Sequence, residues 1–268
     1  MATFAGQGTA VVTGASSGIG EVYAERLADR GYDLVLVARR RPELEALANT
    51  IATRTGRKVD LLVADLTATG DQLLVERRLR EDKTITLLVN NAGITVEGPA
   101  PGADAGEIDR MLAINVVALT RLAGAAAGIF AERGHGTIVN IASAMALIPS
   151  AAAAGYAATK AYVLHLSRGL HEAFGKDGVR VQAVLPGYTR TPMIDRPRLA
   201  GLPAEIVMPV HDLVDAALAG LDLGETVTIP SLPDTADWDA YDAARQKIAQ
   251  NISRDRPAER YCKAAKAA

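Results

Sequence analysis

The stretch "TAVVTGASSGIG" (9–20) decides the fold. Its first five residues are apolar or β-branched and lie between Gly8 and Gly14, which reads as a short strand buried on both faces. A glycine-rich turn follows, and a helical pattern runs over 18–30. Glycines at such a junction let the backbone approach an anion closely, and the helix N-terminus offers unpaired N–H groups and a positive dipole end. At the first strand–helix junction of a doubly wound sheet that anion is the pyrophosphate of a dinucleotide. Gly14, Ser16, Ser17, Gly18, Ile19 and Gly20 are the expected contacts. Their spacing departs from the commoner G-x-G-x-x-G, and taken alone the string also suits a plain turn.

Outward from this stretch the pattern repeats. Apolar runs at 33–38, 58–64, 85–89, 136–142, 179–185 and 226–230 alternate with helical segments at 41–54, 69–82, 104–133 and 155–175. Near-continuous apolar strands separated by helices predict an α/β fold: a Rossmann-type doubly wound parallel sheet of about seven strands, with helices on both faces. After Pro186 a proline-rich stretch to about 210 reads as a loop with a short helix, placed to close over substrate. A further helix and a polar tail occupy about 233–268. One domain is expected over 1–268.

Composition narrows the function classes. Apolar residues make up 49% and charged residues 22% of the 268, as in ordinary globular proteins. A net charge of −2 gives no general pull on nucleic acid or anionic lipid. The single Cys262 suits a reducing compartment, so a cytoplasmic location is expected, and the first residues do not read as a secretory signal. The most membrane-like run, "MLAINVVALTRLAGAAAGIF", carries Arg121 in its middle and reads as a buried helix. His165 and His171 lack neighbours at metal-ligand spacing, so neither a metal nor a membrane is expected.

The end of the second strand speaks to the cofactor. An NAD enzyme usually places Asp or Glu there. Here Ala38 is followed by Arg39, Arg40 and Arg41, then Pro42 at a helix start. Three cations before a helix N-terminus oppose its dipole, and a 2′-phosphate would relieve the conflict. Arg39, with Arg40 beside it, is therefore expected to favour NADP(H) over NAD(H). Asp65 and Leu66 follow the third strand; the Asp65 carboxylate suits either an adenine amino group or a helix cap. Asn91, Ala92 and Gly93, in "NNAG" (90–93), follow the fourth strand, where amides can pin neighbouring loops.

"TGASSGIG", "NNAG", Asn115, Ser143 and "YAATK" (156–160) stand in the order of the short-chain dehydrogenase/reductase family, which the chain resembles over about 9–192. The resemblance implies a catalytic tetrad of Asn115, Ser143, Tyr156 and Lys160. Tyr156 would exchange a proton with a carbonyl or alcohol oxygen. Lys160, one helical turn on, would lower the phenol's pKa and bind the nicotinamide ribose. Ser143 would steady the substrate oxygen. Asn115 would hold a water that links Lys160 to solvent. Pro186, Gly187 and Thr189 would contact the nicotinamide carboxamide and phosphate.

The expected substrate is a small-molecule ketone or secondary alcohol with apolar flanks, lined by 94–96, 144–150, Tyr188 and 193–210, where Arg190 and Arg196 could also meet an acid. The resemblance also implies a homodimer or homotetramer paired through the helices 104–133 and 155–175. Reduction of C=N or C=C bonds or of 3-oxoacyl thioesters, and a non-catalytic NADP-binding sensor or scaffold, are the alternatives. An intact tetrad counts against the sensor.

Overall fold

A computed structural model describes residues 7–96, 104–193 and 201–262. The chain divides into two compact units, Met1–Pro230 and Ser231–Ala268. In the first, β1 (Thr9–Thr13), α1 (Gly18–Asp29), β2 (Asp33–Ala38), α2 (Arg41–Thr55), β3 (Val59–Val63), α3 (Thr69–Glu81) and β4 (Ile85–Asn90) alternate as expected. Then come α4 (Ala105–Leu112), a π-helical turn (Ala113–Ala118), α5 (Leu119–Arg133), β5 (Gly136–Ile141), α6 (Ala154–Phe174) and β6 (Val179–Val184). Two short strands follow, β7 (Thr189–Arg190) and β8 (Met208–Pro209), and then α7 (Val210–Leu223) and β9 (Val227–Thr228). The second unit holds α8 (Thr235–Ala249), begun by the Asp234 carboxylate accepting from the Ala236 N–H at 2.8 Å, and the short α9 (Glu259–Cys262).

The main sheet has seven parallel strands in the order β3-β2-β1-β4-β5-β6-β9. Strand order reverses between β1 and β4, and a doubly wound sheet opens its ligand crevice at the carboxyl ends beside such a switch point. One core layer packs Val12, Leu36 and Val89 against Tyr23, Leu27, Leu44 and Leu213; the other packs Val11, Val35 and Leu88 against Leu79, Leu122, Ala126 and Phe130. The inner strands β1, β2 and β4 thus bury both faces, which is why their sequences read as nearly continuous apolar runs, whereas the edge strand β3 is only partly buried.

Two segments depart from expectation. Helix 104–133 is not one regular helix, because the π-helical turn separates α4 from α5. Asp104 caps its start by accepting from the Glu107 N–H at 3.1 Å, and Arg121 meets Glu76 of α3 at 3.4 Å. The whole span Ala105–Arg133 is long and apolar enough to cross a membrane by composition alone, yet its apolar side lies on the sheet. The second departure is α7, which the sequence reading left unassigned. It buries Leu213, Val214, Ala217, Leu218 and Leu221, each large side chain contributing about 1.5–3 kcal/mol. Arg26–Asp215 and Arg30–Asp222 ion pairs fasten it to α1, and the buried Gln182 amide donates to the Ala217 carbonyl at 2.9 Å.

Candidate active site

The carboxyl ends of the first four strands enclose a cleft of about 250 Å³. Its walls include Gly14, Ser16, Ser17, Gly18 and Ile19 after β1, Arg39 and Arg40 after β2, Leu66 after β3, and Asn91, Ala92 and Gly93 after β4. These were expected from sequence. Thr67, Ile94, Arg110, Ile114 and Thr191 also line it and were not assigned to the cofactor. Gly20, Asp65, Pro186, Gly187 and Thr189 stand outside that lining.

Backbone closeness explains the first glycine and the third. Gly14 has φ +66°, and a Cβ there would lie 2.8 Å from Asn91 Nδ2. A Cβ on Gly20 would lie 2.4 Å from the Gly14 carbonyl oxygen. The Asn91 amide donates to the carbonyls of Thr13 at 2.9 Å and Gly14 at 3.2 Å, and the Thr13 hydroxyl accepts from the N–H groups of Asn91 and Ala92. "NNAG" therefore pins the glycine turn to β4, as amides at a strand end can. A cradle that a single methyl would fill, at the N-terminus of α1, fits a pyrophosphate.

The three arginines separate into different roles. Arg40 donates to the Ser16 carbonyl and hydroxyl and pairs with Glu43 at 3.1 Å; Arg41 pairs with Glu45 at 3.5 Å. Carboxylates of α2 thus relieve part of the conflict with the helix dipole. Arg39 faces Asp65 at 3.8 Å with its side chain 54% exposed. Asp65 Oδ1 accepts from both the N–H and the hydroxyl of Thr67, a turn-capping role. Burial pushes the Asp65 carboxyl up, but Thr67, Arg39 and Arg110 together hold it below the usual carboxylate range. Arg39 and Arg110 therefore share one end of the cleft.

The four residues expected to form a tetrad lie on the π-helical turn, just after β5 and on α6. Asn115 sits in the π-helical turn, 1% exposed. Its Oδ1 accepts from the Ile94 N–H at 2.9 Å, and its Nδ2 donates to the Ile94 carbonyl at 2.9 Å and to Thr159 Oγ1 at 3.1 Å. π-Helical turns often mark functional sites; here the turn carries the amide that holds the loop after β4. A Cβ on Gly93 would lie 3.0 Å from Asn115 Oδ1 and 3.7 Å from Lys160 Nζ, so the cleft meets the tetrad at Gly93.

Lys160 is buried and donates from Nζ to the Ile141 carbonyl at 2.9 Å. Burial pushes its ammonium down to about 8. Its Nζ lies 5.5 Å from the centre of the Tyr156 ring. Burial pushes the half-buried Tyr156 phenol up, and a hydrogen bond with Ser143 pulls it part of the way back. The lowering expected from Lys160 is thus not what this structure has. Burial dominates the Tyr156 phenol, and the neighbour that favours the phenolate is Ser143. The Ser143 hydroxyl accepts from the Met145 N–H at 3.2 Å and reaches the Pro186 carbonyl at 3.5 Å. Thr189 is buried with its hydroxyl donating to Gly187, whereas Thr191, two residues on, reaches the cleft.

The family model for short chain dehydrogenases matches residues 8–199. The chain belongs to the short-chain dehydrogenase family. The matched span includes strands β1 to β6 of the main sheet and the glycine turn. A short-chain dehydrogenase from Sphingobium yanoikuyae, solved in complex with NADPH, is 48% identical with TM-score 0.90, covering 95% of this chain and all of that one. The bulky-bulky ketone specific alcohol dehydrogenase from Comamonas testosteroni is 46% identical with TM-score 0.88, covering 95% of this chain and 98% of that one. Among curated proteins, a very-long-chain 3-oxoacyl-CoA reductase from Anas platyrhynchos is 36% identical over 191 residues. That match spans 69% of this chain and only 60% of the relative's length.

Proposed function

We propose that the protein interconverts a ketone and a secondary alcohol with apolar flanks, using NADP(H) in preference to NAD(H). The observation that carries the reading is the meeting of Asn115 and Lys160 with the floor of the cleft at Gly93, with the centre of the Tyr156 ring 5.5 Å from Lys160 Nζ and Ser143 hydrogen-bonded to that phenol. The nicotinamide supplies the hydride; the chain manages the proton. The Tyr156 phenol keeps its proton at neutrality and can donate it as the carbonyl oxygen gains charge; burial, which raises its pKa, works against that transfer, and the hydrogen bond with Ser143 offsets part of the rise. Ser143, hydrogen-bonded to that phenol, is placed to steady the same oxygen. Lys160 and Asn115 hold the cofactor side of the site together around Gly93.

The preference for NADP(H) rests on Arg39 and Arg110 at the far end, where Asp65 is the acidic neighbour they share. The apolar substrate rests on Ile94, Met145, Leu147, Ile148 and Tyr188, with Ile148 60% and Tyr188 44% exposed. Residues 194–200, including Arg196, lie outside the described residues. The relatives' ketone, NADPH and 3-oxoacyl-CoA names point to the same carbonyl chemistry. Exposed Leu112, Val117 and Tyr162 on α4, the π-helical turn and α6 suit pairing of two copies through these helices.

The test is NADPH oxidation, followed by absorbance, against a panel of bulky aliphatic and aryl ketones. Turnover with NADPH well above that with NADH supports the reading. Tight NADPH binding without turnover across the panel would favour a sensor or scaffold instead.

A further inference from the structure

We propose that Ser167, working with Asn140, is a positioning residue that sets where α6 holds Tyr156 and Lys160 against the sheet. The inference rests on the reading of those two residues given above. Asn90 and Asn140 are register partners on the parallel strands β4 and β5. Asn is a poor strand former, and two in register inside a core run against the local sequence rules. Their side chains explain it. Asn90 Nδ2 donates to Asn140 Oδ1 at 2.9 Å, Asn140 Nδ2 donates to Ser167 Oγ at 2.9 Å, and Ser167 Oγ donates to the Val163 carbonyl at 2.7 Å. These three side chains are 3%, 0% and 1% exposed, so they form a polar chain in a dry core.

Its ends are what matter. Asn90 is followed directly by the Asn91–Gly93 floor of the cleft. Asn140 is followed by Ile141, whose carbonyl accepts from Lys160, and three residues later by Ser143. On α6, Tyr156, Lys160, Val163 and Ser167 recur at helical spacing along one face. Two polar contacts therefore clamp α6 to adjacent residues of β5: Lys160 to Ile141 and Ser167 to Asn140. Apolar contacts between a helix and a sheet tolerate small slides. A buried amide does not, because a slide leaves its N–H groups without acceptors. The Asn140–Ser167 bond thus fixes the height of α6, and with it the reach of Tyr156 to Ser143.

Ser167→Ala in the full-length protein tests this, with Ser167→Thr as the variant that keeps the hydroxyl. Ser167→Ala is expected to lower kcat about tenfold or more, while the ketone KM and the NADPH affinity stay within about twofold of wild type. Ser167→Thr is expected to recover most of the loss. Should Ser167→Ala fail to fold, Asn140→Ser removes the same bond from the strand side and should show the same split. An unchanged kcat, or kcat and NADPH affinity falling together, would overturn the proposal. If the wild-type protein turns over no ketone, the reaction assigned above fails and amide hydrogen exchange decides the present point. Faster exchange over 155–161 in the Ser167→Ala–NADPH complex, with α1 unchanged, supports the clamp; equal exchange refutes it.

Discussion

Asn115 and Ile94 hold each other through two hydrogen bonds, each 2.9 Å long, side-chain amide to backbone amide. This pairing seats the loop after β4 on the π-helical turn between α4 and α5, and Gly93 between them is where cleft and tetrad meet. This end of the cleft is therefore built on a backbone clamp.

Asn115→Ala should leave the Ile94 N–H and carbonyl without their partners in a partly buried setting. The expected loss is about 1–3 kcal/mol of stability by urea unfolding. Asn115→Asp keeps the acceptor for the Ile94 N–H but loses the donor, and should fall between the two. Equal stability of all three proteins would show that the clamp contributes nothing.

Lys160 gives the cofactor-free protein a distinct pH signature. Its folded pKa is about 8 against an ordinary 10.5, because burial disfavours the ammonium. Between those values the unfolded chain binds the extra proton, so this group's contribution to stability rises with pH. The increment across the window is roughly 3 kcal/mol. Tyr156, pushed the other way by burial, acts only above the ordinary tyrosine value. Urea unfolding of wild type and Lys160→Met from about pH 7.5 to 10 checks this: their difference in stability should change with pH, and a constant difference would contradict it.

Arg39 lies 3.8 Å from Asp65 and is the guanidinium best placed to turn toward a phosphate. Arg39→Ala should weaken NADPH binding about ten- to hundredfold and leave NADH within about twofold. Arg110→Ala should show the same asymmetry with a smaller loss. Equal losses for both cofactors, measured by fluorescence titration, would refute the phosphate role.

Gly20 touches scaffold rather than the cleft. A Cβ there would stand 2.4 Å from the Gly14 carbonyl oxygen and 2.5 Å from Asn91 Nδ2, and the carbonyl cannot swing away like a flexible side chain. Gly20→Ala should cost about 1–3 kcal/mol and lower affinity for NADPH and NADH alike. A thermal melt and two binding titrations would show whether the turn tolerates the methyl.

The sheet was legible because strands buried on both faces are mostly apolar, as the cores of 9–13 and 33–38 are, even where Arg180 and Gln182 interrupt 179–184. The glycine turn's place at the junction of β1 and α1 was legible because a strand pattern and a helical pattern flank it directly. The π-helical turn was not, since "AINVVA" has an ordinary helical composition and only the hydrogen-bond register differs. Helix α7 does carry a helical spacing in Leu213, Val214, Ala217, Leu218 and Leu221, but it starts at Val210, directly after a proline-rich stretch with no clear period. Arg110 and Thr67 reach the cleft from segments outside the motifs, so their place depends on how α4 and the loop after β3 pack. The phenol's rise could not be read from the i, i+4 pair, because spacing gives proximity to a cation and says nothing of desolvation.

The central claim is that the Tyr156 phenol delivers the proton to a carbonyl at the end of the NADPH cleft. Single-turnover oxidation of bound NADPH by a bulky ketone, compared between wild type and Tyr156→Phe, tests it most directly. The rate should fall by about a hundredfold or more with NADPH affinity unchanged. Turnover undiminished by the loss of that hydroxyl would contradict the claim.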